Sequence, residues 1–385
     1  MRKWLFGLLP IMLLALFVAA LVLRGPLGVL RGKAPPVQRL SLERIVLKPD
    51  EIALHVINDG PEPVVVAQIM VNGALWAFAS EPLGELGRMQ RAVFRIPYPW
   101  VEGDAEHLQL ITREGVTFDY EVPVAVSTPV LDRVHVTSFL MVGMYVGVIP
   151  VFLGLLWLPF LRQLREAWYS YFLALTVGLL LFLGVDTTIE AVDLVGSAPQ
   201  GLGGGGVLML GFAASFLGLE AISRRGRASG KREAQKNRLL ALFISIGIGV
   251  HNLGEGLAIG SAYAVGEAAL GTLLVLGFMI HNVTEGVAIV APVAKTGASL
   301  LRLVGLGLIA GAPAILGTWV GAFAYSSFWA VIFFAVGAGA IFQVLLEIVR
   351  HMARGDLGSL ATVGNAGGLV TGVAVMYATG LFVAA

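Results

Sequence analysis

The sequence contains no cysteine, which excludes disulfides, thiolate zinc sites and thiolate copper handling. Charge is scarce as well. Asp, Glu, Lys and Arg make up 13% of the 385 residues, against about 25% in soluble domains. The formal net charge is only +1, and the basic residues sit in short separate stretches rather than on one domain, so nothing points to a nucleic-acid partner. Histidine is limited to six residues, which makes any clustering of them informative. Apolar residues fill the rest: 57% of the chain is hydrophobic and the mean hydropathy is +0.83. Together with 49 glycines, this composition implies an integral membrane protein with closely packed helices.

Arg2 and Lys3 precede an apolar run from Trp4 to Leu23, and Arg24 follows it. The run is longer than a signal-peptide core, so residues 1–24 are expected to be a membrane anchor, with a cleaved signal segment as the alternative. Residues 25–36 read as a linker. Residues 37–127 change to short alternating runs broken by turns, such as Ile52–Val56 before Asn58-Asp59-Gly60. About seven strands at this spacing predict an extracytoplasmic immunoglobulin-like β-sandwich. Its histidines, His55 and His107, have no carboxylate at ligand spacing, and its partner is not readable.

Residues 131–385 are membrane-like throughout. Eight spans are expected, near 134–158, 169–192, 204–222, 239–262, 268–291, 303–323, 328–349 and 366–384. The loop 223–238 is strongly basic, and Arg162, Arg165, Lys295, Arg302, Arg350 and Arg354 fall on the same side. The intervening loops carry no Lys or Arg. The positive-inside rule therefore places the basic loops and the N-terminus in the cytoplasm, with the β-domain and C-terminus outside. The basic loop is expected to meet anionic lipid of the bilayer.

Within the spans one motif is doubled. His251-Asn252-Leu253-Gly254-Glu255-Gly256 returns thirty residues later as His281-Asn282-Val283-Thr284-Glu285-Gly286. On a helix, His and Glu at i and i+4 share a face, with Asn one position round the axis. Two such helices joined by a turn near Val265–Glu267 run antiparallel and form an inverted repeat about the membrane midplane. Burying Glu255 and Glu285 costs about 6 kcal/mol on insertion scales. A helix–helix hydrogen bond returns only about 1 kcal/mol. A shared divalent cation offsets that deficit, which makes His251, Asn252, Glu255, His281, Asn282 and Glu285 the candidate metal set. One dication balances the two carboxylates, so one metal per chain is expected. Asp186, Glu190 and Asp193 form an acidic row near the outer end of the second span, and Gln343, Glu347 and His351 form a second row on the seventh. Asp186, Glu190, Gln343 and Glu347 are possible pathway residues. Glu220 is expected to pair with Arg224 or Arg225.

Over residues 134–385 the chain resembles the ZIP family of divalent-metal transporters. The resemblance rests on His251, Asn252, Glu255 and Gly256 in the fourth span and His281, Asn282, Glu285 and Gly286 in the fifth. Gly254 and Thr284 stand where the family carries prolines, so these helices are expected to kink more softly or to offer fewer carbonyls to the path. Gly311-Ala312-Pro313 lacks the glutamate that relatives often place before this proline. The resemblance implies a transporter rather than an enzyme, a homodimer in the plasma membrane, and alternating access that delivers metal towards the cytosol. The transported substrate would be Zn²⁺, with Fe²⁺, Mn²⁺ and Cd²⁺ as neighbours. The alternative reading is an intramembrane metal-dependent hydrolase, and a third is a receptor acting through its β-domain.

Overall fold

A computed structural model describes residues 12–17, 19, 37–197, 203–228, 233–264, 268–324, 326–353 and 357–384. Most of the expected anchor, the linker 25–36, the turn at 265–267, Arg354 and the centre of the basic loop at 229–232 lie outside the described residues. The chain divides into two units, Met1–Gln38 and Arg39–Ala385. In the first, residues 12–17 are helical.

The second unit begins with eight strands: β1 (Leu40–Lys48), β2 (Glu51–Asn58), β3 (Val66–Val71), β4 (Ala74–Trp76), β5 (Ala79–Glu81), β6 (Arg91–Ile96), β7 (Glu106–Thr112) and β8 (Thr117–Val122). They form two antiparallel sheets, ordered β1-β2-β6-β5 and β4-β3-β7-β8. That is the strand order of an immunoglobulin-type sandwich with one extra edge strand on the second sheet. Alternation builds the core: Ala92, Phe94 and Ile96 from β6 meet Leu108 and Leu110 from β7. The strand least legible in the sequence is β1. Its register shifts between Leu42 and Arg44, where Glu43 and Arg44 interrupt the alternation that identifies strands in a sequence.

The helices follow: α1 (Arg133–Gly143), a π-helical turn (Met144–Val148), α2 (Ile149–Leu155), α3 (Leu158–Arg162), α4 (Glu166–Ser197), α5 (Gly204–Ala228), α6 (Glu233–Ala264), α7 (Ala268–Val290), α8 (Leu300–Gly311), α9 (Pro313–Ala324), α10 (Ser327–Ala353) and α11 (Val363–Ala384). Among the described residues, seven segments are long and apolar enough to cross a membrane, and the 22-residue α11 packs on α4 as an eighth apolar helix. Arg44 Nη1 in β1 donates to the Phe323 carbonyl at 3.2 Å, tying the sandwich to the end of α9. Among the described residues, the Arg and Lys ion pairs of the bundle gather at its other end. There Glu220 receives Arg224 and Arg350, each at 2.7 Å, and Lys295 meets Glu166 at 2.6 Å.

Two spans are broken and the two motif helices are not. The α6 and α7 helices run straight through their motifs because Gly254 and Thr284 keep the backbone N–H that proline would remove. The breaks occur in the first and sixth spans, at Pro150 and Pro313. Proline at 150 cannot donate to the Val146 carbonyl, and the chain widens there into the π turn.

The broken spans pack on the motif helices in matching ways. Gly317 of α9 abuts the Leu253 carbonyl and the Gly256 backbone of α6, while Gly154 of α2 abuts the Val283 carbonyl and Gly286 of α7. These pairs carry the same offsets within the two motifs, so α2 with α7 repeats α9 with α6 as an inverted pair.

Candidate metal centre

The two motifs meet inside the bundle, where the His, Asn and Glu side chains of both are buried. On α6, His251 Nε2 lies 3.0 Å from Glu255 Oε1. His281 Nε2, from α7, contacts the same oxygen. Asn282 Nδ2 donates to Glu255 Oε2 at 2.8 Å. Glu255 is thus held by three groups, two of them from the other motif helix.

Glu285 is placed differently. Among the described residues, neither of its buried oxygens has a partner at hydrogen-bond geometry, and the same is true of Asn252 Oδ1 and Asn282 Oδ1. Each unsatisfied buried acceptor costs about 1–3 kcal/mol. Four of them within one short pair of motifs is an arrangement suited to a cation. One ligand atom from each of His251, His281 and Glu285 falls within 4.8 Å of the others, close enough to share one ion. The donor set of two imidazoles and a carboxylate suits Zn²⁺ and neighbouring divalent metals.

Both asparagines use their nitrogens on the broken spans. Asn252 Nδ2 donates to the Ala310 carbonyl at 3.1 Å and Asn282 Nδ2 donates to the Val146 carbonyl at 3.0 Å. Val146 lies four residues before Pro150, whose ring nitrogen has no hydrogen to donate to it, and Ala310 lies in the last turn of α8, three residues before Pro313. From Ala310 to the packing Gly317 is seven residues, and from Val146 to Gly154 is eight. The π turn accommodates the extra residue and so keeps the two brackets in register. The sequence expectation gave the asparagines an oxygen-ligand or carboxylate-orienting role. Asn282 does orient Glu255, and both side chains also fasten the broken spans to the motif helices.

Thr187 of α4 is a contact the sequence analysis missed. Its hydroxyl donates to the Leu183 carbonyl at 2.7 Å and lies 2.9 Å from His251 Nδ1, holding the ring from a neighbouring helix. Its only sequence signal is its place directly after Asp186.

Asp186 and Glu190 line a cavity of about 350 Å³ together with His251, Glu255, Ser261 and Phe334. Asp186 also lines a second cavity of about 340 Å³ with His281, Phe278 and Tyr377. The first cavity reaches Leu194 and Leu270, near the bundle end that carries the sandwich contact. Asp186 therefore stands where both cavities touch the histidines. Gln343 and Glu347 are elsewhere. Gln343 Nε2 is 3.5 Å from Glu220 Oε2 and Glu347 is 3.9 Å from Arg350, so the row joins the ion cluster between α5 and α10.

Residues 218–380, which contain both motifs, match the family model described as ZIP zinc transporter. No curated protein matches the chain.

Proposed function

We propose that this chain, whose residues 218–380 match the family model described as ZIP zinc transporter, carries a divalent metal cation across the plasma membrane towards the cytosol. The observation that carries this reading is the buried group of acceptors without donors around His251, His281 and Glu285. In the apolar bundle a dication neutralises Glu255 and Glu285 together, and Zn²⁺ fits the imidazole–carboxylate set best. Asp186 and Glu190 would collect the ion in the outer cavity, and the imidazoles and Glu285 would then take it, with Asn282 and Glu255 adjusting beside them. Uptake of Zn²⁺, Fe²⁺, Mn²⁺ or Cd²⁺ by proteoliposomes containing the purified chain tests the reading. Vesicles no more permeable to any of these ions than protein-free ones overturn it.

Packing suggests which parts move. The asparagine brackets and the glycine contacts bind α1–α2, α6, α7 and α8–α9 into one group, while α4, α5, α10 and α11 pack as another. Alternating access would slide the first group, with its ion, against the second. Thr187 and His251 form a polar contact between the groups at the site itself. A homodimer formed through the second group would give the first a fixed frame. A hydrolase is not favoured, because Glu255 is already engaged by both imidazoles and is not a free base beside a metal-bound water.

Metal analysis of the purified chain after mild chelation should count one divalent ion per chain. Two dications against two carboxylates would leave about two net charges in a low-dielectric core. Two fully occupied central sites would refute this.

Orientation is testable on the same protein because the native chain has no cysteine. Ser229→Cys should react with a membrane-impermeant thiol reagent only from the cytoplasmic side, and Glu102→Cys only from outside. The reverse pattern would invert the proposed direction of transport.

A further inference from the structure

The ends of α6 and α8 at the ion-pair end of the bundle enclose a groove of about 670 Å³, away from the metal centre. Its mouth carries Gln235, Arg238, Ser299 and Arg302, and its wall continues along Leu242 to Ile309. From Arg302 to Ile309 is about 10 Å along the helix axis at 1.5 Å per residue. The groove is therefore cationic at one end and apolar along its length.

Its arginines differ from Arg224, Arg350 and Lys295 at the same end. Arg224 and Arg350 are neutralised by Glu220, and Lys295 by Glu166. Among the described residues, neither Arg238 nor Arg302 has a carboxylate within ion-pair distance. Arg238 Nη2 donates to the Thr296 carbonyl at 3.3 Å, while its Nε is buried with no hydrogen-bond partner. Ser299, the N-cap of α8, makes no side-chain capping bond, so backbone N–H groups at the start of α8 add donors to the same mouth.

We infer that this groove binds an anionic phospholipid, with its phosphate held by Arg238 and Arg302 and an acyl chain lying along Leu242 and Ile309. Guanidinium groups present planar, fixed donors that match phosphate oxygens. A zwitterionic headgroup would bring an ammonium beside two unpaired guanidiniums with no carboxylate to receive it. A free phosphate would satisfy the arginines but leave the apolar wall uncovered. The inference is independent of the transport reading, since it concerns lipid binding alone.

Native mass spectrometry of the full-length protein, with phosphatidylglycerol or phosphatidylcholine added to the detergent, tests it. The wild type should retain phosphatidylglycerol in preference by on the order of tenfold or more, given two basic contacts. Arg302→Gln should remove the preference. It is the safer variant because Arg238 also bonds the Thr296 carbonyl and its loss could disturb folding. Arg225→Gln, on an exposed basic residue outside the groove, should keep the preference. Millimolar inorganic phosphate should not displace the lipid. Equal retention of the two lipids, an unchanged preference in Arg302→Gln, or displacement by inorganic phosphate would each overturn the proposal.

Discussion

Glu285→Gln should cut divalent-metal uptake into proteoliposomes by on the order of 100-fold or more, because even residues that only support metal ligands cost 10–100-fold when lost. The side chain keeps its size, and neither Glu285 oxygen has a hydrogen-bond partner to lose, so expression and thermal stability should hold. What disappears is one of the two charges that balance the cation. A dication facing Glu255 alone would leave about one net charge buried in hydrocarbon, at a cost of several kcal/mol. His251→Ala should have a comparable effect on uptake, since it removes a ligand atom from the cluster with His281 and Glu285. It should also lower stability somewhat, because the ring bonds both Thr187 and Glu255. Uptake by Glu285→Gln at the wild-type rate would remove Glu285 from the site, and uptake by both variants at that rate would dismiss the cluster altogether.

Gly286→Ala should destabilise the folded bundle by about 1–3 kcal/mol, the usual cost of overpacking, and Gly256→Ala should do the same. A Cβ on Gly286 would overlap the Val151 carbonyl and Gly154 of α2, and one on Gly256 would overlap the Ala314 carbonyl of α9. The obstacles are backbone atoms in helices, so they cannot turn aside as a side chain would. Helix separation has to increase, and the Asn282–Val146 and Asn252–Ala310 bonds lengthen with it. A lower midpoint of thermal unfolding in detergent, together with lower uptake, is the expected result. Gly218→Ala is the control: nothing lies within 4 Å of a Cβ there, and alanine favours helix over glycine by up to about 1 kcal/mol. An equal midpoint for Gly286→Ala and Gly218→Ala would show that the close approach at α2 carries no energetic weight.

The sequence by itself determined the class of the molecule and the pairing at its centre. Long apolar runs, with Lys and Arg confined to alternate loops, make the bundle legible because transfer into hydrocarbon penalises each charge separately. The doubled His-Asn-x-x-Glu-Gly motif was equally legible, since a helix places i and i+4 on one face whatever surrounds it. Tertiary structure decided the rest, because helical periodicity says which face a residue occupies and not what meets it. The two motif glutamates are equivalent in the sequence. Only the approach of α7 to α6 gives Glu255 three partners and, among the described residues, leaves the Glu285 oxygens without a hydrogen bond. Gln343 and Glu347 look like a pathway by spacing, yet the packing of α5 on α10 ties them to Glu220 and Arg350. The bonds from Asn252 and Asn282 reach carbonyls more than fifty residues away in sequence. No local pattern encodes them, because the acceptors lie on other helices and only the packing brings them within reach.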